Sequence, residues 1–294
     1  MPTSHLLRVK STLFVHARRR ARSLLEGEYA SLFHGRSLDF DDLRGYVPGD
    51  EVRDIDWKAT ARHDAPLVKR YVATRKHHLL FVADTGRGMA ATTPSGERKK
   101  DVAIMAAGLL GYLAVRHGDL VGLVRGTAER TEAHELRGTE GHLEVLLRDI
   151  DTATELTSDQ SDPAVQLRWL VRHVRRRMLL LVLADDRELG PEVEDLLRRL
   201  QAQHEILWLT IEDADPTLVP AGVGAYDVAD GYALPAEVRL DPRVRAAYAA
   251  ERARRVEATG ALLSRLGIAH ARVGSSEAVV AAVLGLLERQ RRAR

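Results

Sequence analysis

The chain has 294 residues, of which 45% are hydrophobic and 29% charged, and its 44 Lys and Arg against 42 Asp and Glu leave a net charge of +2. This composition is that of an ordinary folded protein and excludes a disordered or fibrous chain. The absence of cysteine excludes disulfides, thiol nucleophiles and cysteine metal ligands, and is typical of a reducing compartment.

Neither a membrane segment nor a nucleic-acid interface is predicted. No apolar run approaches the roughly 20 residues that span a bilayer, and residues 1–30 lack an apolar stretch followed by a small-residue cleavage site. Basic clusters lie at 18–22, 172–177 and 289–294, but acidic residues are interspersed and no aromatic stacking platform accompanies them. We interpret these clusters as solvated helix faces and expect a cytoplasmic protein.

The first 75 residues predict an N-terminal helix followed by a small charged module. Apolar residues at helical spacing over 5–27 predict a helix that ends near Gly27. A turn follows at 47–50, where Asp50 can cap a short helix. Alternating apolar and polar residues over 67–73 then predict a strand.

From residue 76 onward, short hydrophobic strands alternate with helices. Strands are predicted at 77–84, 119–126, 178–185, 205–211 and 267–273, with an edge strand at 128–136 and a shorter strand near 225–229. Helices are predicted at 99–116, 139–150, 162–174 and 242–266, after Pro191, and after Ser275 and Ser276. Because parallel strands need crossovers, this alternation predicts a doubly wound, mostly parallel α/β sheet. We expect two parts, residues 1–75 and the α/β domain over 76–294.

Two predicted strands end in acids. Asp84 closes the first strand of the α/β domain, and Asp185 closes another. The carboxyl ends of strands form the edge where open α/β sheets bind ligands, and two carboxylates there are the start of a site for a hard cation such as Mg²⁺. An Asp at a strand end also often only caps the following helix.

The loop after the first of these strands resembles the metal-ion-dependent adhesion loop of von Willebrand factor A domains, whose pattern is Asp-x-Ser-x-Ser. Asp84 matches, but Gly86 and Gly88 stand where the hydroxyl ligands belong. The resemblance implies Ser161 at the threonine position of that pattern and Asp185 as its final acid. Since glycine offers no side-chain oxygen, we expect a degenerate site with no resident cofactor, where Mg²⁺ would rely on Asp84, an acid near 185 and waters.

No catalytic motif accompanies this loop. The sequence contains no Gly-x-Ser-x-Gly elbow, no His-Glu-x-x-His pair, no phosphate-binding loop and no Gly-x-Gly-x-x-Gly fingerprint. We therefore predict a protein that is not an enzyme.

A long signature lies in the charged module. Residues 43–62 match at every named position the pattern Leu-Arg-x-Tyr-x-Pro-Gly-Asp-x-x-Arg-x-Ile-Asp-Trp-Lys-x-x-Ala-Arg. This pattern is similar to that of a bacterial family called domain of unknown function 58. The resemblance implies a von Willebrand factor A-like fold and association with MoxR-type AAA+ ATPases. The candidate interaction residues are Arg44, Tyr46, Pro48, Gly49, Asp50, Arg53, Asp56, Trp57, Lys58 and Arg62.

Two interpretations of the signature stay open. Its interleaved charges can form an internal network that clamps the module to the sheet, which we favour for most of them, because buried charges are usually paired. The signature can also be a docking surface anchored by Trp57 or Tyr46, since aromatic residues dominate binding hot spots. We predict a non-catalytic interaction module that docks a MoxR-type AAA+ ATPase, and the alternative is a divalent-metal-dependent ligand binder.

Overall fold

The computed structural model describes residues 4–15, 19–34, 42–47, 57–61, 66–70, 76–219, 224–233 and 235–292. Helix α1 (His5–Val15) is followed by α2 (Arg19–His34). The predicted helix end near Gly27 is wrong, because α2 runs through this residue to His34. A Cβ added at Gly27 would meet nothing within 4 Å, and an open glycine costs a helix only about 1 kcal/mol relative to alanine.

The charged module contains a two-stranded antiparallel sheet. Strand β1 (Asp42–Gly45) pairs with β2 (Leu67–Arg70), and the short helix α3 (Trp57–Thr60) lies between them in the chain. Strand β2 is therefore the described part of the strand predicted over 67–73. The predicted capping by Asp50 lies outside the described residues.

The remaining elements alternate along the chain as predicted. They are β3 (His78–Asp84), α4 (Lys99–Arg116), β4 (Leu120–Gly126), β5 (Thr131–Arg137), α5 (Glu140–Ala153), α6 (Pro163–His173), β6 (Leu179–Asp185), α7 (Pro191–Gln201), β7 (Glu205–Ile211), α8 (Ala236–Arg239), α9 (Pro242–Arg265), β8 (Ala269–Val273) and α10 (Val279–Arg292). The shorter strand predicted near 225–229 is wrong. That segment forms a turn closed by a single bridge between Tyr226 and Ala233, because residues 227–230 fold back through the Asp227 side chain.

Strands β3 to β8 form one sheet in the described part of the chain, in the order β5-β4-β3-β6-β7-β8. All neighbouring pairs are parallel except β4 and β5. The predicted doubly wound, mostly parallel α/β architecture is therefore confirmed. None of the helices in the described ranges is both long and apolar enough to cross a membrane.

Two apolar layers cover the two faces of the sheet, and alternate residues of one strand contribute to one layer or the other. Leu79, Phe81 and Ala83 of β3 pack in the layer with α4, α5 and α10, whereas Leu80 and Val82 pack in the layer with α6, α7 and α9. Alternate side chains of a strand point to opposite faces, so a strand covered on both faces must be apolar throughout. This requirement explains why the strands are short, continuous hydrophobic runs.

The N-terminal helices also belong to this core. Leu6, Val9 and Leu13 of α1 and Leu25 of α2 are buried in the layer that contains α4. The Tyr29 hydroxyl of α2 donates a hydrogen bond of 2.9 Å to the buried Asp119, at the turn before β4. These contacts pack α1 and α2 onto the α/β unit, and the domain boundary near residue 75 stays a prediction.

Candidate functional site

The order of the sheet places β3 and β6 side by side at its centre, where the chain winds outward in both directions. Parallel pairing of Ala83 with Leu183 brings the carboxyl ends of these two strands together. Such a reversal of strand order leaves a crevice outside the carboxyl ends of the strands. Asp84 and Asp185 therefore meet at one edge of the sheet, which we call the carboxyl edge.

Ser161 lies in the loop before α6, and it is the third residue that the adhesion-loop resemblance implied, beside Asp84 and Asp185. A Cβ added to Gly86 would lie 2.5 Å from Ser161 Oγ, and one added to Gly88 would lie 2.3 Å from Asp185 Oδ2 and 3.1 Å from Ser161 Oγ. The structure thus brings Asp84, Ser161 and Asp185 together around the two glycines. Their role as metal ligands stays a prediction.

Asp84 is the most perturbed acid of the group. Its Oδ1 accepts a hydrogen bond of 2.8 Å from the Gly86 N–H, and its buried Oδ2 lies near the Ser161 hydroxyl. Burial and the nearby Asp185 raise the pKa of Asp84 to about 7, against smaller opposing effects of the Gly86 N–H, the Ser161 hydroxyl and Lys99. Near neutral pH the carboxyl group is therefore close to half-protonated.

Lys99 supplies a buried cation to this edge. It is the first residue of α4, its side chain has no exposed surface, and its ammonium donates hydrogen bonds to Asp185 Oδ1 and Asp213 Oδ1. Burial opposes the charge, but the two carboxylates outweigh it and hold the pKa of Lys99 above its ordinary value. Burial also raises the pKa of Asp213 to about 6, with Lys99 opposing and Asp185 reinforcing the change.

A second ion pair closes the same cluster. Arg272 of β8 binds Asp186 through both terminal nitrogens, one of them at 3.0 Å from Oδ1, and the Asp186 side chain is only 2% exposed. Burial would raise the pKa of Asp186, but Arg272 outweighs it and holds that pKa below its ordinary value. The Asp186 N–H in turn donates to Asp185 Oδ1 at 2.8 Å, which joins the two pairs.

These residues do not fit an adhesion-type divalent cation. The buried Asp84 Oδ2 and Ser161 Oγ are potential ligands, but Asp185 already binds the Lys99 ammonium. A divalent ion on the other oxygen of Asp185 would lie close to the buried ammonium, and two like charges at short range in a low-dielectric site repel strongly. The glycines supply no hydroxyl to offset this repulsion. In the described part of the chain, no group of three or more His, Asp or Glu residues is arranged to hold a metal.

Sequence reasoning missed Lys99, Asp213 and the Asp186–Arg272 pair. The sequence did contain one signal for Lys99. Lys99 and Lys100 begin an apolar helix, where the helix dipole disfavours positive charge. Two lysines there indicate nearby carboxylates or carbonyl oxygens. Asp213 and Arg272 give no such signal, because they reach the cluster only through the pairing of β6, β7 and β8.

Part of the predicted interaction signature is visible at the surface. The side chains of Trp57 and Val47 are 64% and 55% exposed, and that of Tyr46 is 37% exposed. We call these three residues the signature patch. Pro48, Gly49, Asp50, Arg53, Asp56 and Arg62 lie outside the described residues, as do the side chains of Arg44 and Lys58. The choice between an internal network and a docking surface therefore stays open for the charged members.

A second set of exposed apolar side chains lies in the described parts of the segment between β7 and α9. We call it the edge lobe, and its exposed members are Leu218, Tyr226, Tyr232, Val238 and Leu240. The Gln160 amide, next to Ser161, donates to the Ala229 carbonyl oxygen at 3.3 Å, and the Ala214 N–H donates to the Thr92 carbonyl oxygen at 2.9 Å. These contacts place the edge lobe beside the buried charge cluster.

Fold and site together define a doubly wound α/β protein whose central edge holds an internally paired charge cluster. The sequence profile of the family described as "Protein of unknown function DUF58" matches residues 42–258. The uncharacterised proteins Rv1480 of Mycobacterium tuberculosis and Mb1516 of Mycobacterium bovis are each 30% identical over 267 residues, covering 87% of this chain and 82% of the relative. The chain belongs to the DUF58 family, which confirms the resemblance drawn from the signature.

Two solved structures with a similar course of the chain belong to proteins that are described differently. One is a von Willebrand factor type A protein from Catenulispora acidiphila, at a TM-score of 0.42 and 10% identity over 75% of this chain and 43% of that chain. The other is an aerotolerance-related membrane protein from Bacteroides fragilis, at a TM-score of 0.44 and 12% identity over 72% of this chain and 98% of that chain.

The substitution Asp84→Asn is expected to stabilise the protein at alkaline pH. A folded-state pKa near 7, above the ordinary 3.8, means that the folded chain keeps a proton that the unfolded chain loses, so Asp84 reduces stability as pH rises from about 4 to about 7. Asparagine removes this penalty, which is on the order of 4 kcal/mol above about pH 7. Urea unfolding should show a clearly larger gain at about pH 8 than at about pH 5, where only part of the penalty has developed. An equal change at both values would contradict the assignment, and the exposed Asp195→Asn serves as the control.

Proposed function

We propose that this chain is a non-catalytic protein-interaction module. The observation that carries the proposal is the juxtaposition at the carboxyl edge of an exposed apolar lobe and a buried charge cluster. Lys99 and Arg272 already pair with the acids of the cluster, so these carboxylates are engaged inside the protein. Exposed clusters of large apolar side chains commonly mark protein-binding surfaces.

The chemistry of the edge lobe indicates what kind of partner it suits. Tyr226 and Tyr232 are 60% and 64% exposed, and tyrosine contributes large contact area at low entropic cost. Exposed acids lie near the apolar members along the chain, namely Asp227, Asp230, Glu237 and Asp241. Arg239 is buried and donates to the Val219 carbonyl oxygen, so its charge is turned away from the surface. A partner with a basic rim around an apolar centre would complement this lobe.

The partner we propose is an AAA+ ATPase of the MoxR type. Membership of the DUF58 family supports this choice through the association that the signature resemblance implies. The signature patch supports it as well, because an indole that is 64% exposed at Trp57 is a suitable anchor for a partner. The proposal includes a cytoplasmic site of action, since such a partner consumes cytoplasmic ATP.

Binding of the purified chain to the MoxR-type ATPase of the same organism tests this function. We expect a complex whose affinity depends on the bound nucleotide, and we expect Trp57→Ala or the double variant Tyr226→Ala/Tyr232→Ala to weaken it at least about 10-fold. Val145→Ala, which removes an equally exposed apolar side chain from α5, is the matched control. Absence of a complex with every nucleotide would contradict the ATPase partner, and unchanged affinity in both aromatic variants would contradict the proposed surfaces.

The alternative function is a divalent-metal-dependent ligand binder. It is supported by two buried oxygens that lie in the same cluster, Asp84 Oδ2 and Ser161 Oγ. We rank it second because the Lys99 ammonium already binds Asp185, the acid that such a metal would need. A metal-dependent rise in the unfolding midpoint of the wild-type chain, lost in Asp84→Asn, would reverse this ranking.

A further inference from the structure

We propose that Lys99 is the resident cation of the carboxyl edge, a tethered ammonium that takes the place of the divalent ion of an adhesion-type loop. The proposal concerns the chemistry of the cluster and does not depend on the identity of the partner. It accounts for the disagreement between a loop that resembles a metal site and a donor set that does not fit a metal.

The position of Lys99 is the first observation. The side chain is fully buried, and its ammonium binds two carboxylates at the ends of different strands, Asp185 as the last residue of β6 and Asp213 just after β7. A cation that joins acids from neighbouring strand ends performs the bridging that a bound metal would otherwise perform. A lysine at the start of a helix also opposes the helix dipole, so only strong carboxylate pairing makes this position favourable.

The two loop glycines are the second observation. Real Cβ atoms essentially never approach another heavy atom closer than 3.0 Å, yet a Cβ at Gly88 would lie 2.3 Å from Asp185 Oδ2. A Cβ at Gly86 would lie 2.5 Å from both the backbone nitrogen and Oγ of Ser161. The loop therefore lies against Ser161 and Asp185 more closely than a serine-bearing loop can. The glycines that remove the hydroxyl ligands and the ammonium that binds Asp185 are therefore compatible features of the same loop packing.

The charge balance is the third observation. Arg272 pairs with Asp186, which leaves Asp185 and Asp213 to share the single charge of the Lys99 ammonium. A covalently attached cation cannot be removed by a chelator or diluted away. The acids of the edge should therefore stay paired whatever the concentration of divalent ions, and removing Lys99 should open the cluster to an external cation.

Thermal unfolding of wild type, Lys99→Ala and Lys100→Ala tests the proposal. Each protein is measured in EDTA, in millimolar MnCl₂ or MgCl₂, and with added ethylammonium, which can fill the space left by the lysine side chain. A cation that binds only the folded state raises the midpoint. We expect a rise of several degrees with Mn²⁺ or ethylammonium in Lys99→Ala, no rise with either cation in wild type, and no rise with Mn²⁺ in Lys100→Ala. Lys100 is the matched control, because it is a buried lysine of the same turn that binds Asp151 and the Thr154 carbonyl oxygen instead.

Two results would overturn the proposal. One is a Mn²⁺-dependent rise in the wild-type midpoint that Asp84→Asn abolishes. The other is a folded Lys99→Ala that responds to neither cation. If Lys99→Ala does not fold, electron paramagnetic resonance of Mn²⁺ added to wild type and to Asp84→Asn tests the proposal instead. An unchanged signal of free Mn²⁺ is expected, and loss of that signal in wild type but not in Asp84→Asn would contradict the proposal.

Discussion

Arg272→Leu is expected to lower the free energy of unfolding by about 3–5 kcal/mol near neutral pH, the usual cost of removing one partner of a buried ion pair. Arg272 is the partner that binds Asp186 through two nitrogens, and the Asp186 side chain is almost fully buried. Leucine would leave this carboxylate without its countercharge in a site that water reaches poorly. Urea unfolding of wild type and variant measures the loss.

The loss in Arg272→Leu should shrink in acid. In wild type the folded-state pKa of Asp186 lies below its ordinary value, so the pair contributes stability above the unfolded pKa, near 4, and loses it as pH falls through the folded pKa. In the variant, a protonated Asp186 is neutral and its burial costs less. An equal loss at about pH 7 and about pH 4 would contradict this account. Arg198→Leu, in an exposed pair on α7, should cost no more than about 1 kcal/mol.

Gly88→Ser, which restores one hydroxyl of the adhesion pattern, is expected to destabilise the protein by about 3 kcal/mol, at the upper end of the usual cost of overpacking. The new Cβ would collide with Asp185 Oδ2 and displace the carboxylate that Lys99 binds. Thermal unfolding should show a lower midpoint in both EDTA and Mg²⁺. Gly141→Ser, in an open position on α5, is the control and should change little.

A stabilising effect of Gly88→Ser in Mg²⁺ alone would contradict the internal-cation account. It would mean that the serine completes a metal site and that Lys99 yields Asp185 to the metal. A destabilisation that Mg²⁺ leaves unchanged is the expected outcome, because the collision involves side-chain volume and not ligand number.

The fold was predictable because its strands carry strong local signals. The strand 205–211 and the helix 99–116 have the predicted bounds, since runs such as Glu205–Ile211 are apolar and bounded by polar turns. The errors fall where local signals are weak. Gly27 is a poor helix residue that an open surface tolerates, and Tyr226 pairs only with Ala233 in a turn.

The site was predictable only in part. Asp84 and Asp185 end strands, so the topology of a parallel sheet brings them together, and the adhesion-loop pattern added Ser161. Lys99 lies 86 residues from Asp185 and 114 from Asp213, and a sequence does not show such long-range pairing. The missing hydroxyls were visible in the sequence, whereas the cation that takes the place of their metal became visible only in the packed structure.

Diffraction from crystals grown with MnCl₂, recorded at a wavelength where manganese scatters anomalously, tests the central claim most directly. The account predicts no anomalous peak among Asp84, Ser161 and Asp185, with the Lys99 ammonium lying between Asp185 and Asp213. A manganese peak about 2.1 Å from Asp84 Oδ2 or Ser161 Oγ, with Lys99 displaced from Asp185, would contradict it.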